Sequence, residues 1–182
     1  MTDFLQLRSL KTLEVLSDED RYVVKAEGVS SWTACPLCKR GRLYGHGSQE
    51  QSFQDTPSHG KPVEVFIQRR RYRCQGCGKT LFEPVADFDG KRQATARLVA
   101  HIRKESFTKT FAALAREVAL DEKTIRHIFD DYVANLKETV VFETPEVLGI
   151  DELKIIGQYR CMLTNVEKLA LFDMLPTRNK AD

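Results

Sequence analysis

No stretch of this 182-residue sequence is apolar for long enough to cross a bilayer. Its first ten residues, MTDFLQLRSL, carry Asp3 and lack the basic start and apolar centre of a secretory leader. The expected setting is therefore the reducing cytoplasm, with no membrane partner, where paired cysteines bind metal more often than they form disulfides. There is no low-complexity tract, and the two cysteine pairs are the only internal similarity. Neither sign of charge dominates, since the formal net charge is only +2, so bulk charge does not by itself point to nucleic acid. With 42% hydrophobic and 30% charged residues, wholesale disorder is excluded. Glycine and proline are missing from residues 93–137, which excludes a loop-rich segment there and leaves room for helices.

The charge that is present is unevenly placed. Residues 61–130 hold 15 Lys and Arg against 9 Asp and Glu, whereas acids dominate residues 131–152. The middle of the chain thus suits phosphates and the later part does not. LKTLEVL and RYVVKAEGV, separated by Ser17-Asp18-Glu19-Asp20, predict a hairpin with Tyr22, Val24 and Ala26 on one face. Residues 45–62, rich in Gly, Ser, Gln, His and Pro, read as loop. Val63, Val65 and Ile67 alternate with polar or outward positions and predict a strand that runs through Arg69-Arg70-Arg71-Tyr72-Arg73. Helices are expected over about 94–104, 108–118 and from Asp121 onward. The second has Phe111, Leu114, Ala115 and Val118 on its core face, and the third has Ile125, Ile128, Phe129 and Tyr132. Beyond Thr144-Pro145, three further strands are expected at 147–151, 159–164 and 169–175. The fold class is α+β in several modules: 1–88 a β-hairpin and zinc-binding module, 89–138 a three-helix unit, and 145–182 a set of strands.

Cys35-Pro-Leu-Cys38 and Cys74-Gln-Gly-Cys77 are separated by 35 residues. A Cys-x-x-Cys turn aims two thiolates at one ion, and two such turns complete a tetrahedral shell for structural zinc. The alternatives are a pair of redox motifs or four buried thiols. His46 and His59 lie between the pairs and read as exposed loop histidines. Cys161 has no partner and reads as a small buried hydrophobe.

Arg69, Arg71 and Arg73 share one face of the predicted strand, suited to phosphate contact or, more simply, to guarding a sheet edge with charge. The second and third helices, joined at Ala119-Leu120, have the lengths of a helix-turn-helix. In that arrangement the third helix enters the major groove and presents Lys123, Thr124, Arg126 and His127. A helix bundle whose polar face is merely solvated is the competing reading. The joint often holds glycine; a left-handed Ala119 there costs about 1 kcal/mol.

The phrases CPLC and RRRYRCQGCGKT, then TFAALAREVALDEKTIRHIFDDYV, then LGIDE, resemble the ISL-three family of insertion-sequence transposases. QDTPSHGKPVEVFIQRRRYRC adds to the likeness, which runs from about residue 10 to the end. The resemblance implies sequence-specific binding of duplex DNA at terminal inverted repeats, in the bacterial cytoplasm and nucleoid. Further implied partners are a second copy of the chain or a full-length transposase. It also implies that residues 145–182 open an RNase H-like domain, present here as an incomplete β-meander. Asp151 falls at the family's first catalytic acid, and Glu152 points to the other side of the strand. Asp173 comes too early to match the second acid, so the chain reads as truncated. Magnesium would then be bound only by a complete catalytic domain, and strand transfer would require acids supplied from elsewhere. An inactive remnant is the remaining alternative. The last 35 or so residues are expected to be poorly packed or to pair with another chain.

Overall fold

The computed structural model describes residues 4–29, 31–39, 41–139 and 143–177. The chain divides into two compact units, Met1–Ala134 and Asn135–Asp182. Both the β-rich segment and most of the helical segment fall in the first. No helix among the described residues is long and apolar enough to cross a membrane.

The first unit begins with the expected hairpin, β1 (Leu10–Ser17) and β2 (Tyr22–Gly28). Asp18 shapes its turn by accepting the backbone N–H groups of Asp20 and Arg21. Next comes a long antiparallel ribbon, β3 (Leu43–Ser58) and β4 (Lys61–Cys74), followed by the short β5 (Thr80–Phe82). The sheet order is β1-β2-β4-β3, with β5 also paired to β4. One edge of β4 is occupied by β3 throughout. Its other edge is met first by β2, in parallel over Tyr22–Ala26, and then by β5 over Arg71–Arg73.

The ribbon overturns the expectation of loop over residues 45–62. The turn is only His59-Gly60, with φ of 50° and 77°. Two consecutive left-handed residues make the tight turn whose twist matches paired strands. The outer half of β3 is exposed on both faces, so no apolar alternation marks it. Pairing with β4 from Leu43↔Cys74 to Ser58↔Lys61 holds it extended.

Where β2 and β5 leave a gap along β4, Glu83 fills it. Its side chain is fully buried. The carboxylate accepts Arg70 N (2.9 Å) and Arg70 Nε (2.7 Å), while Arg70 Nη2 reaches the carbonyl of Gly28. A Cβ at Gly28 would lie 2.9 Å from the Glu83 carboxyl carbon, so any larger residue there would displace that carboxylate from Arg70. Below the sheet lies one apolar core of Leu5, Leu7, Leu10, Val24, Ala26, Phe53, Val63, Val65, Ile67 and Val85. The alternation read from Val63, Val65 and Ile67 is the inner face of this core.

Three helices follow: α1 (Ala96–Glu105), α2 (Phe111–Val118) and α3 (Glu122–Thr139). Thr95 caps α1 by accepting Leu98 N, and Thr110 caps α2 by accepting Ala113 N. Asp121 does the same for α3, accepting Thr124 N at 2.8 Å. Their apolar faces close on Leu98, Val99, Ile102, Leu114, Val118, Ile125 and Ile128. These helices are tied to the sheet through Asp55 of β3, which is 1% exposed. Its carboxylate accepts Thr95 Oγ1 and Arg97 Nε, each at 2.7 Å, and also Arg97 Nη2. Arg97 Nη1 continues to the carbonyl of Leu5.

The second unit carries the meander β6 (Leu148–Ile155), β7 (Gln158–Asn165) and β8 (Ala170–Leu175) in that order. Asn165 is the one buried residue among 143–177, while Ile150, Leu169 and Leu171 stand exposed.

Candidate metal centre and nucleic-acid interface

The ribbon carries its two strand ends to the cysteines. Leu43 pairs with Cys74, so the first knuckle, Cys35–Cys38, lies just ahead of β3 and the second begins at the last residue of β4. Gln75 N bonds Arg42 O at 2.9 Å, which ties the second knuckle to the segment behind the first, and Cys35 N bonds Gly41 O at 3.4 Å within the first. Each knuckle closes with a left-handed residue, Lys39 (φ 57°) and Gly78 (φ 68°). Their N–H groups go to the carbonyls of Cys35 and Cys74. Gly41 packs where a Cβ would collide with Cys74 Sγ and Gly76 N, so its lack of a side chain is sterically required.

The four sulfurs lie within 4.8 Å of one another. Cys35 Sγ to Cys77 Sγ is 3.8 Å and Cys38 Sγ to Cys74 Sγ is 3.6 Å. A tetrahedron with metal–sulfur bonds of about 2.3 Å has edges of about 3.8 Å, so both of these edges match zinc and the donor set fits it. With four thiolates the shell is closed, and the ion is structural: it crosslinks the two knuckles and leaves no position for a reactive water. Among the described residues, these cysteines are the one group of three or more His, Cys, Asp or Glu donors close enough to share an ion. His46 and His59 are exposed and lie outside it, and Cys161 is half-buried on β7.

The three arginines of β4 have different surroundings. Arg69 donates Nε and Nη2 to the carbonyl of Glu83 and Nη1 to Gln51, which engages its guanidinium within the fold. It lies 5.2 Å from the Phe82 ring centroid, and Arg71 lies 5.8 Å from the same ring, so the two share a face. Arg73 is exposed beside the zinc knuckle.

On the helices, α2 ends at Ala119, whose φ of 53° and ψ of 42° are left-handed. Leu120 N then bonds Ala115 O, and α3 starts at once. The corner is held by the apolar contacts of Val118 and Ile125 rather than by glycine. With Ile125 and Ile128 turned inward, Lys123, Arg126 and His127 emerge exposed on the other side of α3. Thr124 is half-buried and its hydroxyl is donated to Asp121, which makes it part of the helix start. That hydroxyl and the Thr124 backbone N–H hold the Asp121 carboxyl below its ordinary range.

One neighbour of this face escaped the sequence reading. Residues 91–94 run beside the start of α3 and, with Leu120, Asp121, Thr124 and His127, line a cleft of about 460 Å³. Arg92 anchors the segment by bonding Asp131 and the carbonyl of His127. Asp131 is correspondingly held below its ordinary range, first by Arg92 and then by Lys91. A lone Arg-Asp pair 39 residues apart leaves no periodic signal in a sequence.

Asp151 is exposed on β6 opposite Met162, and its Oδ1 accepts the N–H of Glu152. Met162 in turn faces Met174, while Asp173 pairs with Leu163, so strand alternation puts Asp173 on the opposite face from Asp151.

In comparison with known proteins, residues 32–77 fit the family described as the zinc-finger of transposase IS204/IS1001/IS1096/IS1165. No curated protein and no solved structure matches the chain. The matched segment contains all four cysteines and the whole of the ribbon. Residues 32–77 are therefore similar to the zinc ribbon of insertion-sequence transposases.

Proposed function

We propose that this chain is the DNA-binding portion of an insertion-sequence transposase and recognises the ends of its element. The observation that carries the reading is the α2–α3 corner, which leaves the start of α3 exposed and polar in a chain with a transposase zinc ribbon. In this reading α2, Ala119-Leu120 and α3 form a helix-turn-helix. α3 enters the major groove, where Lys123, Arg126 and His127 meet base edges or phosphates. Thr124 holds the helix start with its hydroxyl and offers DNA its methyl side. Among Arg69, Arg71 and Arg73, Arg73 has the freedom to meet a phosphate, because the heads of the other two lie against Phe82. Zinc holds the ribbon folded, and the ribbon supports a second contact along the duplex. The partner is double-stranded DNA at terminal inverted repeats, in a nucleoid setting, with a second copy or a full-length transposase joining there.

In the same reading β6–β8 open an RNase H-like domain, and Asp151 is the first acid of a two-metal site. Such a site needs further carboxylates to hold magnesium, so strand transfer is assigned to an assembly that supplies them.

The test is selection of duplex DNA from a random pool by the zinc-loaded chain, repeated after Lys123, Arg126 and His127 are changed to Ala. One enriched sequence, lost in the triple variant, is the expected result. Binding that ignores sequence and does not weaken as salt rises would overturn it. Divalent-metal-dependent nicking by the chain alone would move the assignment from binder to enzyme.

A further inference from the structure

Of the cations on the α3 face, Arg126 is held from two sides. Its guanidinium carbon lies 5.0 Å from the centroid of the Phe111 ring on α2. Its Nη2 donates to Glu122 Oε1, one turn back on α3, at 3.1 Å. The Phe111 ring is not free to follow it. It packs against the helical core and lies 5.5 Å, tilted, from Phe129. Phe129 belongs to the core-facing side of α3, so the contact runs Phe129, Phe111, Arg126, Glu122 and returns to the helix on which it began.

An arginine on a helix surface ordinarily samples many rotamers, and ordering it on DNA carries an entropic cost. A ring against the guanidinium restrains the plane without consuming its in-plane N–H donors. Glu122 takes one nitrogen and leaves the rest of the fork unengaged. Those remaining donors match the O6 and N7 acceptors of guanine, the base that arginine reads with two bonds.

We propose that Phe111 and Glu122 are positioning residues that preset Arg126 to read one guanine in the target. The inference rests on the DNA-binding reading above and adds the base and the two side chains that set its preference. Neither residue touches DNA in this scheme. Each acts through Arg126, and the effect is confined to a single base position.

The experiment compares zinc-loaded wild type, R126A, F111L, F111Y and E122Q by selection from a random duplex pool. Affinity for unselected DNA, zinc content and thermal midpoint are measured on each. Wild type should enrich a site with guanine at one position, and R126A should lose that preference, a change of roughly 5- to 150-fold. F111L should weaken the same preference by roughly 2- to 5-fold, the scale of one exposed cation–π contact, and E122Q by up to about 5-fold, the scale of an exposed ion pair. Preference elsewhere and affinity for unselected DNA should hold, and F111Y, which keeps the ring, should restore the guanine. If F111L loses zinc or stability, E122Q alone carries the comparison, because Glu122 and Arg126 are both half-exposed and the change leaves the core untouched. Wild-type preference in E122Q and in folded F111L, with loss only in R126A, would overturn the positioning role and leave the DNA reading standing. Failure of wild type to enrich any sequence would overturn both.

Discussion

Replacing Asp55 by Ala should destabilise the first unit by about 3 kcal/mol, an unusual loss for one polar residue. The magnitude follows from what the carboxylate serves. Thr95 is fully buried, and its hydroxyl donates to Asp55 Oδ1 at 2.7 Å. A hydrogen bond to a charged partner contributes about 1.5–3 kcal/mol, and the stranded hydroxyl cannot turn to water. The second partner, Arg97, has a side chain 38% exposed. Water can therefore replace much of its lost interaction, which reduces that share to about 1 kcal/mol. For a unit of this size each kcal/mol moves the thermal midpoint by about 4 °C, so a shift of about 12 °C is expected. Circular dichroism melts of the zinc-loaded protein would measure it. A double-mutant cycle with Arg97→Ala isolates the pair, because the second substitution should cost less once Asp55 is gone. Asp55→Ala melting within 2 °C of wild type would refute the claim that this cluster fastens the helices to the sheet.

Zinc removal should loosen the knuckles while the apolar core beneath β4 persists. Cys74→Ser should lower metal content, read by atomic absorption, from about one zinc per chain to near zero. Zinc content unchanged in that variant would exclude the four-sulfur site. Ala119→Gly should raise stability by about 0.5–1 kcal/mol, because glycine adopts the left-handed corner without strain, although it gains freedom when unfolded. A drop in midpoint would mean that the corner is less strained than its dihedrals indicate. Asp121 supplies a pH dependence. Its carboxyl is held below the ordinary 3.8 by the Thr124 hydroxyl and backbone. A depressed folded value means that its contribution is present above 3.8 and is lost as pH falls through the folded value. Helix signal at the start of α3 should therefore weaken in acid, and Asp121→Asn should flatten that part of the titration when followed by NMR.

Some of this was legible in the residues, and the reasons are physical. The helices show because residues 93–137 lack glycine and proline and because Leu114, Val118, Ile125 and Ile128 recur with the period of a helix. The metal centre shows because two Cys-x-x-Cys turns are a local pattern with a single geometric purpose. β3 does not show, since its outer half is solvated on both faces and owes its extension to a partner strand. The signal that was available was His59-Gly60, a pair able to take two left-handed conformations in a row. β5 is too short to mark itself, and the parallel pairing of β2 with β4 joins residues about 40 apart. The buried carboxylates of Asp55 and Glu83 look like any surface acid until their arginines are placed. Arg69, read as a phosphate contact, is engaged by the carbonyl of Glu83 for the same reason.

The ribbon also works as a ruler. From the turn at His59-Gly60, β4 counts off 14 residues against 16 in β3, two irregularities in β3 absorbing the difference, before Leu43 meets Cys74 and the sulfurs converge. Deleting one residue from the regularly paired stretch of β3, Ser48–Asp55, would invert every side chain beyond it and carry the first knuckle away from the second. Metal occupancy thus reports the register of a hairpin whose turn lies at the far end of both strands, and a chain that has paired out of step cannot retain its zinc.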